Sequence, residues 1–170
     1  MKINKIIAIL ALFLLFNCDY QPIYSSKNIE KNYNFTINSI IFSGENKINQ
    51  ELKNNLENYI NLESKKIKYD LIVSSTVNRK ISSKDKKGDP ERYIIAITFN
   101  INFLKDNKSI SNKIFEKSYE YKNMSSKYNL KIYEQDVKNN LVNNIYEEII
   151  LSTVELTIKS YFIFFDSKFI

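Results

Sequence analysis

The sequence predicts an α+β domain: a four-stranded sheet with two α-helices packed on one face, in the order β-α-β-β-β-α. Three observations lead there. Tyr93, Ile95, Ile97, Phe99, Ile101 and Phe103 alternate with Thr98, Asn100 and Asn102 in the period of a half-buried strand. Two other stretches repeat their apolar residues at helical spacing, and one of them lies between the first two strand-like runs. The remaining strand-like segments follow one another with short turns, as in a meander.

In the first strand Tyr33, Phe35, Ile37 and Ile41 alternate with Asn34, Thr36 and Asn38, which predicts one buried face, and Ser43-Gly44 ends it. Ile48, Leu52, Leu56, Tyr59 and Ile60 then give the first amphipathic helix, with Asn, Lys and Glu on its other sides. Tyr69, Leu71, Val73 and Val77 alternate with Asp70, Ser74, Thr76 and Asn78 in a second strand. The polar run from Lys80 to Pro90, holding Gly88, reads as a loop before the third strand. Asp106-Asn107 supplies a turn, and Phe115, Tyr119 and Tyr121 alternate with Glu116, Ser118, Glu120 and Lys122 in a fourth strand. The second helix runs from about Asn129 through the 150s, with Tyr133, Val137, Leu141, Ile145 and Ile149 on one stripe. Glu134 and Asp136 are expected near its start, where the helix dipole favours acids.

Ahead of this domain, Lys2 and Lys5 precede an unbroken apolar run from Ile6 to Phe16. That run is too short for a spanning helix, which needs about 20 residues, and reads as an export signal over residues 1–17. Cys18, the single cysteine, follows it directly and cannot form an internal disulfide. It stands where a bacterial lipoprotein is cut and acylated. Leu15 fits the cleavage pattern, whereas Asn17 replaces the usual small residue and Asp19 introduces a possible sorting signal. Residues 18–32 then form a lipidated tether, residues 33–156 the domain, and residues 157–170 an aromatic tail or helix extension. The tail carries Tyr161, Phe162, Phe164, Phe165 and Phe169, either completing the core or facing a partner or membrane.

Composition narrows the function. The formal net charge is +6, of which Lys2 and Lys5 leave with the signal, and only Arg79 and Arg92 among 25 basic residues are arginine. This Lys, Asn and Ile bias reports base composition better than nucleic-acid recognition, and export also disfavours a nucleic-acid partner; anionic lipid or a partner surface suits the mild positive charge. With no histidine and one cysteine, zinc sites, Ser-His-Asp triads and Cys-His pairs are excluded. No metal, cofactor or catalytic set is expected. The basic candidates are Lys80, Lys84, Lys86 and Lys87 in the loop before the third strand, and Lys127 and Lys131 around the start of the second helix, where free N–H groups also favour an anion. Glu134 and Asp136 point in different directions on a helix and make a poor acid/base pair. They read as helix-start charges, and Glu147 and Glu148 as a solvated face.

The mature chain resembles the lipopolysaccharide-assembly lipoprotein family, LptE. The resemblance rests on Cys18 followed by an aromatic and Pro22-Ile23-Tyr24, on Arg92-Tyr93 opening the third strand, and on Tyr128-Asn129-Leu130-Lys131-Ile132-Tyr133-Glu134-Gln135-Asp136 opening the last helix. It implies a non-enzymatic lipoprotein of the outer membrane that helps an LptD-type β-barrel assemble, plugs its lumen and binds lipopolysaccharide for delivery to the outer leaflet. The family's lipid-contacting basic positions match Lys86 and Lys131 here, with Lys84, Lys87 and Lys127 as secondary candidates. The alternative is a free periplasm-facing lipoprotein that binds lipid without a barrel partner.

Overall fold

The computed structural model describes residues 34–63 and 65–166, with side chains through Tyr161. The signal run, Cys18, the tether, Tyr33 and Phe169 lie outside the described residues. Strand β1 (Phe35–Gly44) leads into helix α1 (Asn46–Leu56) and one 3-10 turn (Glu57–Tyr59). Strands β2 (Ile67–Lys84), β3 (Pro90–Lys105) and β4 (Lys108–Lys122) then form the meander, and α2 (Lys127–Asp166) closes the chain. The sheet order is β1-β2-β3-β4, with β1 parallel to β2 and the other pairs antiparallel. This is the predicted α+β architecture.

The core face is built from alternate residues of neighbouring strands. Tyr69, Leu71 and Val73 of β2 lie beside Ile97, Phe99, Ile101 and Phe103 of β3, all of them buried. Leu52 and Leu56 of α1 and Val142, Ile145 and Ile149 of α2 cover that face, and the helices also pack on each other. Removing so many branched and aromatic side chains from water is the main term holding the layers together, at about 1.5–3 kcal/mol for each large side chain fully buried. Phe35 stacks on Tyr59 with ring centres 5.5 Å apart, and the Tyr69 hydroxyl lies 3.3 Å from Thr157 Oγ1 on α2.

Four local expectations need correction. The alternation of β1 does not run straight through: a bulge between Ile37 and Ser39 inverts it, so Ile40 and Phe42 align with Leu71 and Val73 while Ile41 is 62% exposed. Asp70 of β2 holds the bulge by accepting from Asn38 Nδ2 at 2.9 Å and Ser39 Oγ at 2.6 Å. These bonds lower the Asp70 pKa, that from Ser39 contributing most. The first helix stops at Leu56, short of Tyr59 and Ile60, and Ile60 instead bridges Ile37. Lys80 and Lys84 belong to β2, because the β2–β3 ladder continues to the pair Lys84 and Pro90 and leaves only residues 85–89 as loop. The second helix begins at Lys127, so no acid lies in its first turn.

Gly44 makes the turn from β1 into α1 possible. Its φ is +91°, and a Cβ there would sit 2.0 Å from the backbone oxygen of Ser75. No side chain fits that approach. Ser75 Oγ takes the Glu45 N–H at 2.9 Å, and Asn49 Nδ2 donates to the Ser43 carbonyl at 3.1 Å, which stitches the turn to the sheet.

Candidate functional site: a basic end over an arginine–tyrosine network

Beyond Val77 the core face changes from aliphatic to polar and aromatic. Arg79 Nε donates to Glu134 Oε1 at 2.8 Å and to the Tyr121 hydroxyl at 3.2 Å, and that hydroxyl donates to the same glutamate oxygen at 2.6 Å. The guanidinium carbon lies 3.6 Å from the centre of the Tyr93 ring, a cation–π contact. Tyr121 in turn packs against Tyr93 at 5.9 Å and edge-on against Tyr133 at 5.8 Å. One cluster therefore joins β2, β3, β4 and the first turns of α2.

Burial disfavours the charged guanidinium of Arg79, but its bonds to Tyr121, Glu134 and Tyr93 outweigh that, so its pKa is raised and it stays a cation. Burial pushes the Tyr121 hydroxyl up to about 12, with Glu134 reinforcing and Arg79 opposing the shift. Tyr133 is raised mainly by its hydrogen bond with Tyr119. Arg79, Tyr121 and Tyr133 therefore hold their protons at neutral pH. The network acts as a clamp between the sheet and α2.

The candidate lysines sit at this same end. The β2–β3 turn is shaped by Asp85, whose Oδ1 accepts the N–H groups of Lys87 at 2.8 Å and Asp89 at 2.9 Å, while Gly88 takes φ +89°. Lys84 closes β2, and Lys86 and Lys87 stand exposed in the turn. Asn123 ties the opposite connection to the foot of this turn: its N–H donates to Glu91 O and its Nδ2 to Pro90 O, both at 2.8 Å. Three residues later Ser126 Oγ accepts the Asn129 N–H at 3.3 Å, capping α2 and setting Lys127 and Lys131 on its exposed opening turns.

The structure thus brings Lys84, Lys86, Lys87, Lys127 and Lys131 to one end of the domain. Among the described residues none of these five makes an ion pair, whereas Lys113 and Lys117 of β4 are paired to Glu155 and Glu148 of α2. No hydrogen bond or ion pair joins Lys86 to Lys131 among the described residues. Tyr128, 73% exposed, and Ile132, 46% exposed, alternate with Lys127 and Lys131 on the helix. Apolar and cationic groups are interleaved there, which suits an amphiphile with a phosphate head better than a fully polar anion.

Two readings of the sequence change here. Glu134 is no helix-start charge: it lies two turns into α2 and holds Arg79. Glu148 is not simply solvated, since it pairs with Lys117. The Arg79 network was missed because its members are scattered over 56 positions of the chain. The one signal for it was the rarity of arginine: Arg79 and Arg92, the only two, both bind carboxylates at this end, Arg92 through Glu120 at 3.1 Å. Cys18 lies outside the described residues. Among those residues no three His, Cys, Asp or Glu side chains gather as a metal site.

No family model and no curated protein matches the sequence. Solved structures do. Rare lipoprotein B from Shewanella oneidensis superposes with a TM-score of 0.52 at 11% identity, covering 71% of this chain and 99% of its own. Uncharacterized lipoprotein B from Nitrosomonas europaea gives a TM-score of 0.56 at 11% identity, covering 72% and 84%. A putative lipoprotein from Caulobacter crescentus gives 0.52 at 14% identity, covering 76% and 96%. At these identities the likeness is one of fold: the chain shares the fold of these lipoproteins.

Proposed function

We propose that this protein is a lipoprotein anchored through Cys18 that acts, without catalysis, as the lipoprotein subunit of an outer-membrane lipopolysaccharide translocon. In that role it supports assembly of an LptD-type β-barrel, plugs its lumen and receives lipopolysaccharide at the end that carries Lys86 and Lys131. The observation that carries the reading is the gathering, at one end of the fold, of five lysines that make no ion pair among the described residues, beside exposed Tyr128 and Ile132. The uncovered face of the sheet supports it too. Thr76, Thr98, Asn100 and Asn102 stand there beside Ile114 and the register neighbours Ile41 and Ile72, a mixture of polar and apolar groups that the interior of a barrel can receive.

Lys86 and Lys131 engage lipid A or core phosphates and compete with the divalent cations that bridge neighbouring lipopolysaccharides. Each exposed charge contact contributes about 1 kcal/mol or less, so binding is weak, salt-sensitive and suited to handover. The Lys86→Glu, Lys131→Glu double variant is expected to fold normally and to bind lipopolysaccharide at least about tenfold more weakly at low salt, since two reversed contacts remove about 1.4 kcal/mol or more. Unchanged binding in that titration refutes the assigned site. Affinity purification of the full-length lipoprotein from detergent-solubilised native membranes tests the partner: one large barrel at equal stoichiometry is expected. A solitary protein, under conditions that keep barrel complexes intact, overturns the translocon role and leaves a free lipid-binding lipoprotein.

A further inference from the structure

Arg79 uses only part of its hydrogen-bonding capacity in the clamp. Both of its bonds to oxygen, to Glu134 Oε1 and to the Tyr121 hydroxyl, leave from the single N–H of Nε. Its contact with Tyr93 is made through the face of the guanidinium, whose carbon lies 3.6 Å from the ring centre. Among the described residues no hydrogen bond leaves Nη1 or Nη2, and the side chain is 39% exposed. Arg92 differs, since its Nη1 donates to Glu120 at 3.1 Å.

A fork held in this way is ordered before a ligand arrives. Nε is pinned by a carboxylate and a hydroxyl, and the Tyr93 ring covers one face of the group, so a ligand meeting the terminal edge has little side-chain freedom to remove. The surroundings are cationic. Lys131 and Lys138 stand one turn before and one turn after Glu134 on α2, positions that share a side of a helix. Because Glu134 holds Arg79, the guanidinium lies against that same side. Lys138 is half-buried, and among the described residues neither lysine makes an ion pair. Three cations thus stand around one carboxylate, an excess of positive charge that Glu134 does not cancel.

We propose that Arg79 is the phosphate-selecting residue of the basic end: its Nη1 and Nη2 fork takes two oxygens of a phosphomonoester on an amphiphile, with Lys131 and Lys138 as point charges beside it. A planar guanidinium matches two phosphate oxygens, whereas an ammonium attracts any anion. The lysines supply attraction, and Arg79 supplies choice. Exposed Tyr128 and Ile132 on the opening turns of α2 favour an amphiphile over free phosphate. The inference rests on the lipopolysaccharide reading above and adds to its lysines a geometric element carried by β2.

Arg79→Lys keeps a cation for Glu134 and removes the fork, and Ile101→Val, in the core, serves as a destabilised control with the fork intact. Each variant of the full-length protein, in neutral detergent at low salt, is titrated with bisphosphorylated lipid A, with the same lipid after dephosphorylation, and with glucosamine 1-phosphate as a head without chains. Thermal unfolding reports stability in parallel. Arg79→Lys is expected to bind bisphosphorylated lipid A about fivefold or more weakly and to lose most of the parent's preference for it over the dephosphorylated lipid. Ile101→Val is expected to keep that preference. A loss in Arg79→Lys that is equal for the two lipids, or no larger than in Ile101→Val, makes Arg79 a strut and overturns the inference. Glucosamine 1-phosphate bound as tightly as lipid A overturns the amphiphile. The Lys86→Glu, Lys131→Glu variant separates this inference from the reading beneath it. If that variant loses lipid A while Arg79→Lys does not, the fork alone fails. A parent protein that binds no lipid A overturns both.

Discussion

The two ends of this domain are held by different physics. At the tether end Phe35, Ile37, Tyr59 and Tyr69 are buried, with rings stacked or tilted at 5.5 to 6.3 Å, and the helix that covers them adds buried Thr157. At the basic end the helix and three strands are joined by one shared carboxylate, one guanidinium and a set of tyrosines, with the Arg79 side chain 39% exposed and Glu134 16% exposed. Apolar burial depends little on pH or salt, whereas a half-exposed charge pair depends on both. The tether end therefore acts as a fixed platform, and the basic end is the part whose stability conditions can tune.

That contrast can be broken by mutation. Phe35→Ala is expected to cost about 3–5 kcal/mol, a cavity among rings that cannot collapse, with the same loss in low and high salt by urea unfolding. Glu134→Gln is expected to cost about 1–2 kcal/mol, the value of a charge-assisted bond reduced by the exposure of Arg79, and to lose much of that difference in 1 M salt. Equal salt dependence of the two variants would erase the distinction between the ends. Tyr121→Phe is expected to cost about 1 kcal/mol at neutral pH. It also has a signature in alkali. The Tyr121 hydroxyl ionises at about 12 in the folded state and near 10 when unfolded, so its contribution is complete below pH 10 and is lost as pH rises towards 12. Thermal unfolding followed from pH 9 to 12 is expected to fall less steeply in Tyr121→Phe than in the parent.

The elements that were legible in the sequence are those whose pattern is set by burial alone. Ile95 through Phe103 alternate because one side of β3 is buried in the core, and the stripe from Val137 to Ile149 repeats because α2 lies along the same core. The Asn38 bulge was not legible because its cause is Asp70, 31 and 32 residues away, a partner that periodicity cannot announce. Residues 80–84 read as loop for a similar reason. Their ladder to β3 is made by backbone groups beyond the core, where side chains carry no apolar rhythm. Of the candidate site, the lysines were visible as charge. The clamp beneath them was invisible because Arg79 and Glu134 lie 55 residues apart.

The parallel pairing of β1 with β2 has a consequence for how the molecule forms. Strands β2 to β4 meet their neighbours across turns of a few residues, while β1 reaches β2 only after α1 and its connection have been placed, a costlier closure. The meander is expected to assemble in the rate-limiting step and β1 to dock after it. Ile37→Val should then accelerate unfolding while leaving refolding nearly unchanged, and Ile101→Val should slow refolding. The strand that emerges from the tether would be the last to join and the first to leave, so a pull on the N-terminus meets the least kinetically protected part of the sheet.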